Sequence, residues 1–167
     1  LLGENGAPVS ELTEGQNGEV LLEATPFYGE AGGQVGDSGW IVSPAARVRV
    51  DTTYRPTGGL VASRATVEAG RLGSGDYVTA EIDAPRREAI KRNHTATHLL
   101  HAALREVVGT HVKQAGSLVA PDRLRFDFSH FTGVSDRALA DIESLVNRRI
   151  LENVPIETEE LPLEVGL

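Results

Sequence analysis

The chain contains no cysteine and no methionine in 167 residues. The first absence excludes a disulfide framework and removes thiolate as a nucleophile or metal ligand anywhere along it. The second, in a chain that opens Leu1-Leu2-Gly3, reads as a piece of a longer protein. Long apolar runs are also missing. Nothing approaches the roughly 20 residues needed to cross a bilayer, and no basic-then-apolar leader opens the sequence, so no membrane partner is expected and the expected location is the cytoplasm. Positive charge is short as well. The formal net charge is −8, with Lys91 and Lys113 as the sole lysines, which argues against a general nucleic-acid binder. Any contact with RNA must be local. The basic residues cluster once, at Arg86, Arg87, Lys91 and Arg92, and that cluster fits either a solvated helix face or such a local patch.

What is present suits a soluble globular protein: 40% hydrophobic and 24% charged residues, on a length that holds one large domain or two small ones. To about residue 84 the pattern is short strands between turns. Val20 to Ala24, Gly39 to Val42, Arg47 to Val50, Gly59 to Val67 and Tyr77 to Ile82 are the candidates, broken by glycines at 58, 59, 70, 73 and 75. Strands at this spacing predict a small β-barrel over residues 1–84. The period changes at Asp83-Ala84-Pro85. Proline suits a first helical turn and Gly109 a C-terminal stop, so a long helix is expected from about Pro85 to Val108. Ser135 reads as the N-cap of a second helix with Leu139, Ile142, Val146 and Ile150 on one stripe, ending near Asn153 and Pro155. Between the helices, Ser117 to Ala120 and Leu124 to Phe128 flank Pro121-Asp122 as a hairpin. Residues 85–167 are therefore expected to form an α+β domain, and the whole chain is α+β.

Two segments carry chemistry. On the long helix, His94-Thr95-Ala96-Thr97-His98 places two imidazoles four residues apart, so both project in nearly one direction and can reach one metal ion. Core or solvent histidines satisfy the same spacing. A zinc protease needs Glu directly after the first His as general base; here it is Thr95, which disfavours that class. The second segment runs from Thr25 to Gly39 and is dense in glycine, as at a ligand-facing loop, with Phe27 and Tyr28 as stacking surfaces. A tight turn satisfies that composition too. A phosphate-cradling loop is disfavoured, since neither the Lys-Ser/Thr ending nor a following helix is present.

Three stretches in order, Thr25 to Gly39, Arg92 to Arg105 and Gly109 to His130, resemble the editing region of bacterial alanyl-tRNA synthetases and of the freestanding AlaX-type trans-editing proteins. The resemblance implies an α+β editing domain after the barrel, in a parent that is an ATP-binding ligase of protein biosynthesis. It implies hydrolysis of the ester joining serine or glycine to tRNA(Ala), at the acceptor end of that tRNA. In the family, zinc is held by the two His of His-x-x-x-His and by a Cys and a His of a later Cys-x-x-x-His. The first pair maps onto His94 and His98, so zinc is the implied cofactor and this chain carries half of its site. Thr97 and Gln114 match catalytic positions of the editing pocket, and Phe27, Tyr28, Gly33, Gln34 and Arg92 are the implied substrate-binding residues. Discrimination by a second, hydrolytic site is what an alanine pocket needs, because glycine is smaller and serine differs by one hydroxyl. With no cysteine available, the fragment is expected to bind zinc weakly and to be weakly active or inactive. A non-catalytic tRNA-binding or scaffold module is the alternative.

Overall fold

The computed structural model describes residues 1–57 and 59–155. Nine strands and two helices are present among them: β1 (Leu2–Gly3), β2 (Glu11–Thr13), β3 (Asn17–Leu21), β4 (Gly39–Ser43), β5 (Ala46–Tyr54), β6 (Ala62–Gly73), β7 (Thr79–Ile82), α1 (Ala84–Val107), β8 (Lys113–Val119), β9 (Leu124–Ser129) and α2 (Asp136–Glu152). The mixed α+β composition follows the change of period at Asp83.

The first seven strands form one antiparallel sheet in the order β1-β3-β6-β5-β4-β7, with β2 added to the far end of β6. β5 shows why. Ala46, Val48 and Val50 are buried while Arg47, Arg49 and Asp51 are exposed, the period-two alternation of a half-buried strand. Two register shifts against β6 bend β5 and coil the sheet around a core of Leu12, Val20, Phe27, Ile41, Val48, Val50, Val67 and Leu72. The expected barrel does not close. Among the described residues no pairing joins β7 to β1 or β2, so the sheet keeps open edges at its two ends. β6 is also longer than expected. Gly70 was read as a break, but its φ of 76° lets the strand continue beyond it.

Helix α1 starts as its capping chemistry dictates: the Asp83 carboxylate accepts a hydrogen bond from the Arg86 amide at 3.0 Å, and Pro85 lies in the first turn. It ends ahead of Gly109, whose φ is 134°. In α2 the Ser135 hydroxyl accepts from the Ala138 amide at 3.3 Å, and Asn153 closes the helix in the left-handed region. The helices pack through Ala103, Leu104, Ile142 and Leu145, with Phe126 and Phe128 of the β8–β9 hairpin against them. The expected stripe on α2 is therefore shifted. Ile142 and Val146 face the core, joined by Leu145, whereas Leu139 and Ile150 are each 51% exposed. The expected continuation of the second domain past residue 155 lies outside the described residues.

Candidate functional site

The glycine-rich segment is a turn fitted against two neighbours. Ala31 and Gln34 pair as an antiparallel bridge, with reciprocal hydrogen bonds of 2.9 and 3.2 Å, around Gly32 and Gly33 at φ 58° and 83°. Two successive positive φ values define the tight hairpin turn that glycine adopts without a steric cost. From there the chain docks on β8: the Val119 amide donates to Gly33 O at 2.8 Å and the Val35 amide to Val119 O at 3.1 Å. A Cβ on Gly33 would meet the carbonyl and hydroxyl oxygens of Ser117 at 2.5 Å, so the close approach excludes any side chain.

A buried charge fastens the other end of the segment. Asp37 is 1% exposed and its carboxylate accepts from the Tyr28 amide at 2.6 Å and from Arg87 Nε at 2.8 Å, with a second, shorter contact to Arg87 Nη2. Arg87 Nη2 also donates to Pro26 O at 3.1 Å, and Arg86 Nη1 to Gly36 O at 2.8 Å. The Asp37 carboxylate holds the Arg87 guanidinium above its ordinary pKa. The basic cluster thus divides by role. Arg86 and Arg87 turn back to hold the loop, Lys91 pairs with Glu88, and Arg92 stays exposed.

With both ends fixed, Gln34 meets the helix. Its Oε1 lies 2.6 Å from His94 Nδ1, and Gln34 is only 8% exposed. The His94 and His98 rings stack, 5.1 Å between centroids and 18° between planes, and both reach solvent. Desolvation of His94, followed by the neighbouring His98, lowers its pKa from the usual histidine value, which favours the neutral ring. Thr97 is 6% exposed and its hydroxyl donates to Asn93 O at 2.8 Å. Gln114 is exposed; its Nε2 donates to Ser117 Oγ at 3.0 Å, and that hydroxyl reaches Gly32 O at 3.4 Å. The turn therefore touches α1 through Gln34 and the hairpin through Ser117.

Other residues sit differently from what the sequence suggested. Phe27 is 4% exposed, its apolar ring buried in the sheet core with Val20, Ile41 and Val50, where it presents no stacking surface. Tyr28 is half-buried, its hydroxyl donating to Ala31 O at 3.1 Å and Arg55 lying 6.0 Å over its ring. His111 and His130 bond to each other at 2.8 Å, away from the stacked pair, and His101 tilts on Phe126. The sequence points to no role for Asp37 or Asn93, marks Arg87 only as part of the basic cluster, and marks Ser117 only as the start of a hairpin strand. The Asp37 signal was its place just after the glycine run, and the Asn93 side chain, which donates to Ala120 O at 2.7 Å, fastens α1 to the hairpin turn.

Zinc asks for more than this donor set offers. Two stacked imidazoles have the right chemistry, but among the described residues no group of three or more His, Cys, Asp or Glu side chains is placed to hold a metal. Two donors do not make a closed site.

The family model for tRNA synthetases class II (A) matches residues 1–86, and the chain belongs to that family, the alanyl branch of the class II synthetases. Its curated relatives carry the name alanine–tRNA ligase. That of Anaeromyxobacter sp. (strain Fw109-5) is 54% identical over 160 residues, 96% of this chain and 18% of the relative. That of Roseiflexus castenholzii is 48% identical over 162 residues, 97% of this chain and 18% of the relative. That of Halorhodospira halophila is 52% identical over 163 residues, 98% and 19% respectively. The chain thus spans less than a fifth of the length of the relatives it matches.

Proposed function

We propose that this chain is the editing region of an alanine–tRNA ligase, hydrolysing the ester of serine or glycine on tRNA(Ala). The observation that carries the reading is the seating of Gln34 on His94 by the Gly-Gly turn, beside the Ser117–Gln114 pair. Three segments distant in sequence meet at one surface. Water attacks the ester carbonyl, the carbonyl carbon becomes tetrahedral, and the C–O bond to the ribose breaks, releasing free amino acid and tRNA. Gln114 donates one Nε2 hydrogen to Ser117, which fixes the amide and leaves its carbonyl oxygen to orient water or the amino group of the substrate. The Thr97 proton is committed to Asn93 O, so any part this hydroxyl takes in the reaction is as an acceptor. Exposed Arg92 and Lys91, on α1 beside the histidines, supply a local contact for the acceptor-end phosphates despite the net charge of −8. Zinc, when held by His94, His98 and donors beyond the described residues, would supply electrophilic assistance or anchoring.

The test is seryl-tRNA(Ala) deacylation by the chain alone and by the Anaeromyxobacter relative carrying this chain in place of its matching region. The graft is expected to deacylate, and His94→Ala or Gln114→Ala within it to lose most of the rate. An inactive graft that still charges tRNA with alanine would remove the editing reading. The rival, a non-catalytic tRNA-binding module, draws on the two-donor histidine set; it requires that the graft bind tRNA normally without hydrolysis.

A further inference from the structure

From the contact between the turn and the helix we infer that Gln34 is a positioning residue that selects the tautomer of His94, placing the proton on Nδ1 and leaving Nε2 as a bare acceptor toward the site. The inference deepens the hydrolytic reading, on which its purpose rests, but its geometry stands apart from any turnover.

A neutral imidazole carries one proton, and free histidine prefers it on Nε2. A histidine in that form has nothing to offer a metal ion or a water proton through Nε2, because the lone pair there is gone. An acceptor at Nδ1 reverses the preference. Gln34 Oε1 stands 2.6 Å from His94 Nδ1, a distance that requires a proton between them. The opposite amide orientation would donate N–H to Nδ1 and force the ring proton onto Nε2, blocking it. The identity of the atom facing the ring therefore decides what His94 can do.

The delivery of that atom is unusually constrained. The Gln34 backbone is pinned by both hydrogen bonds to Ala31 and by the parallel bridge to Val119, and the residue is nearly buried. Gly33 packs against Ser117 with no room for a side chain, and Asp37 is clamped by Arg87 from the same helix that bears His94. The loop and the ring are thus referenced to one another twice. This assigns a purpose to the Gly-Gly-Gln sequence: the glycines make the turn and the glutamine sets a proton. Histidines bound to metals commonly have the second nitrogen fixed by such a partner, and the same arrangement suits a histidine that accepts a proton from water.

The test reads tautomers directly. In the whole chain labelled with 15N at histidine, long-range proton–nitrogen correlations at a pH where the rings are neutral distinguish protonated from bare ring nitrogens. With five histidines the spectrum is sparse, and His94 is assigned by its loss in His94→Gln. The expected result is a protonated Nδ1 and bare Nε2 for His94. In Gln34→Leu the signals should shift toward the Nε2–H form. Gln34→Glu, whose carboxylate at that pH accepts but cannot donate, should retain Nδ1–H. A wild-type His94 protonated at Nε2 overturns the inference even if Gln34→Leu fails to fold, and so does an unshifted spectrum in a folded Gln34→Leu. Loss of Nδ1–H in Gln34→Glu overturns it too. A graft that is inactive toward seryl-tRNA while His94 keeps Nδ1–H removes the proposed function and leaves the tautomer assignment standing.

Discussion

The sheet and the helical half hold themselves together by different means. In the sheet, Ile41, Val48, Val50, Val67 and Val20 are at most 2% exposed, enclosed by strands on a curled surface. In the helical half the buried seam is narrow, five residues from Ala103 to Leu145, and Leu139, Ile150, Leu151 and Phe131 remain at the surface. The sheet is a container, whereas the helices and hairpin form a thin layer oriented by what they touch. The site lies where the layer meets the container, so its geometry depends on the clamp between Asp37 and Arg87 more than on either core.

Breaking the clamp is the sharpest attack on that contrast. Arg87→Ala leaves the Asp37 carboxylate buried without its cation, which typically costs about 3–5 kcal/mol. Chemical denaturation is expected to show a loss of that size, and an Arg87→Ala protein within 1 kcal/mol of wild type, roughly the worth of a surface ion pair, would mean that the halves are joined elsewhere. Truncating the cores compares them directly. Ile41→Ala and Ile142→Ala each remove the same atoms and belong in the range of about 2–5 kcal/mol; the enclosed Ile41 should fall at the upper end and Ile142 at the lower. Equal losses in urea unfolding would erase the distinction between container and layer.

Gly33→Ala should cost about 1–3 kcal/mol through its positive φ and the Ser117 clash. Unlike the core truncations, it should change the His94 signals in the nuclear magnetic resonance spectrum as well as lower the melting temperature. The smallest effect is on pH. His94 has a folded pKa below its ordinary value near 6.5, first through desolvation and then through His98. Between the two values the unfolded chain binds more protons, so stability falls as pH drops below about 6.5 and levels off once the folded ring is also protonated. Since the ring reaches solvent, the slope is modest; denaturation curves for wild type minus His94→Gln should isolate it, and a difference flat with pH would contradict the shift.

Local chemistry was legible in the sequence where it is self-contained. Asp83, Pro85, Gly109, Ser135 and Asn153 mark both helices to within a residue or so, because caps act over a single turn. The alternation of β5 was plain for the same reason. The short β1 and β2 were missed: two or three residues have no period, and they exist only because β3 and β6 offer them edges. Barrel closure was over-read, since strand spacing says nothing about whether the end strands meet. At the site, the His-x-x-x-His helix and the Gly-Gly-Gln run were visible as separate signals. That the two converge on one pocket followed from the family resemblance and not from either pattern alone, and the fate of Phe27 was not legible, because its burial is decided by tertiary partners in the sheet core.

The reach of β6 also orders the way the chain assembles. One strand carries β5 and β3 along most of its length and, at its far end, β2, where Glu11 pairs with Gly73. As the chain leaves the ribosome, β2 therefore waits for nearly everything up to the end of β6, a long loop whose closure is entropically unfavourable until the intervening strands have formed. The β8–β9 hairpin and the pairing of α1 with α2 need only neighbours. The sturdier region when finished is the slower one to complete, and β2 finds its edge only after the end of β6 has been made.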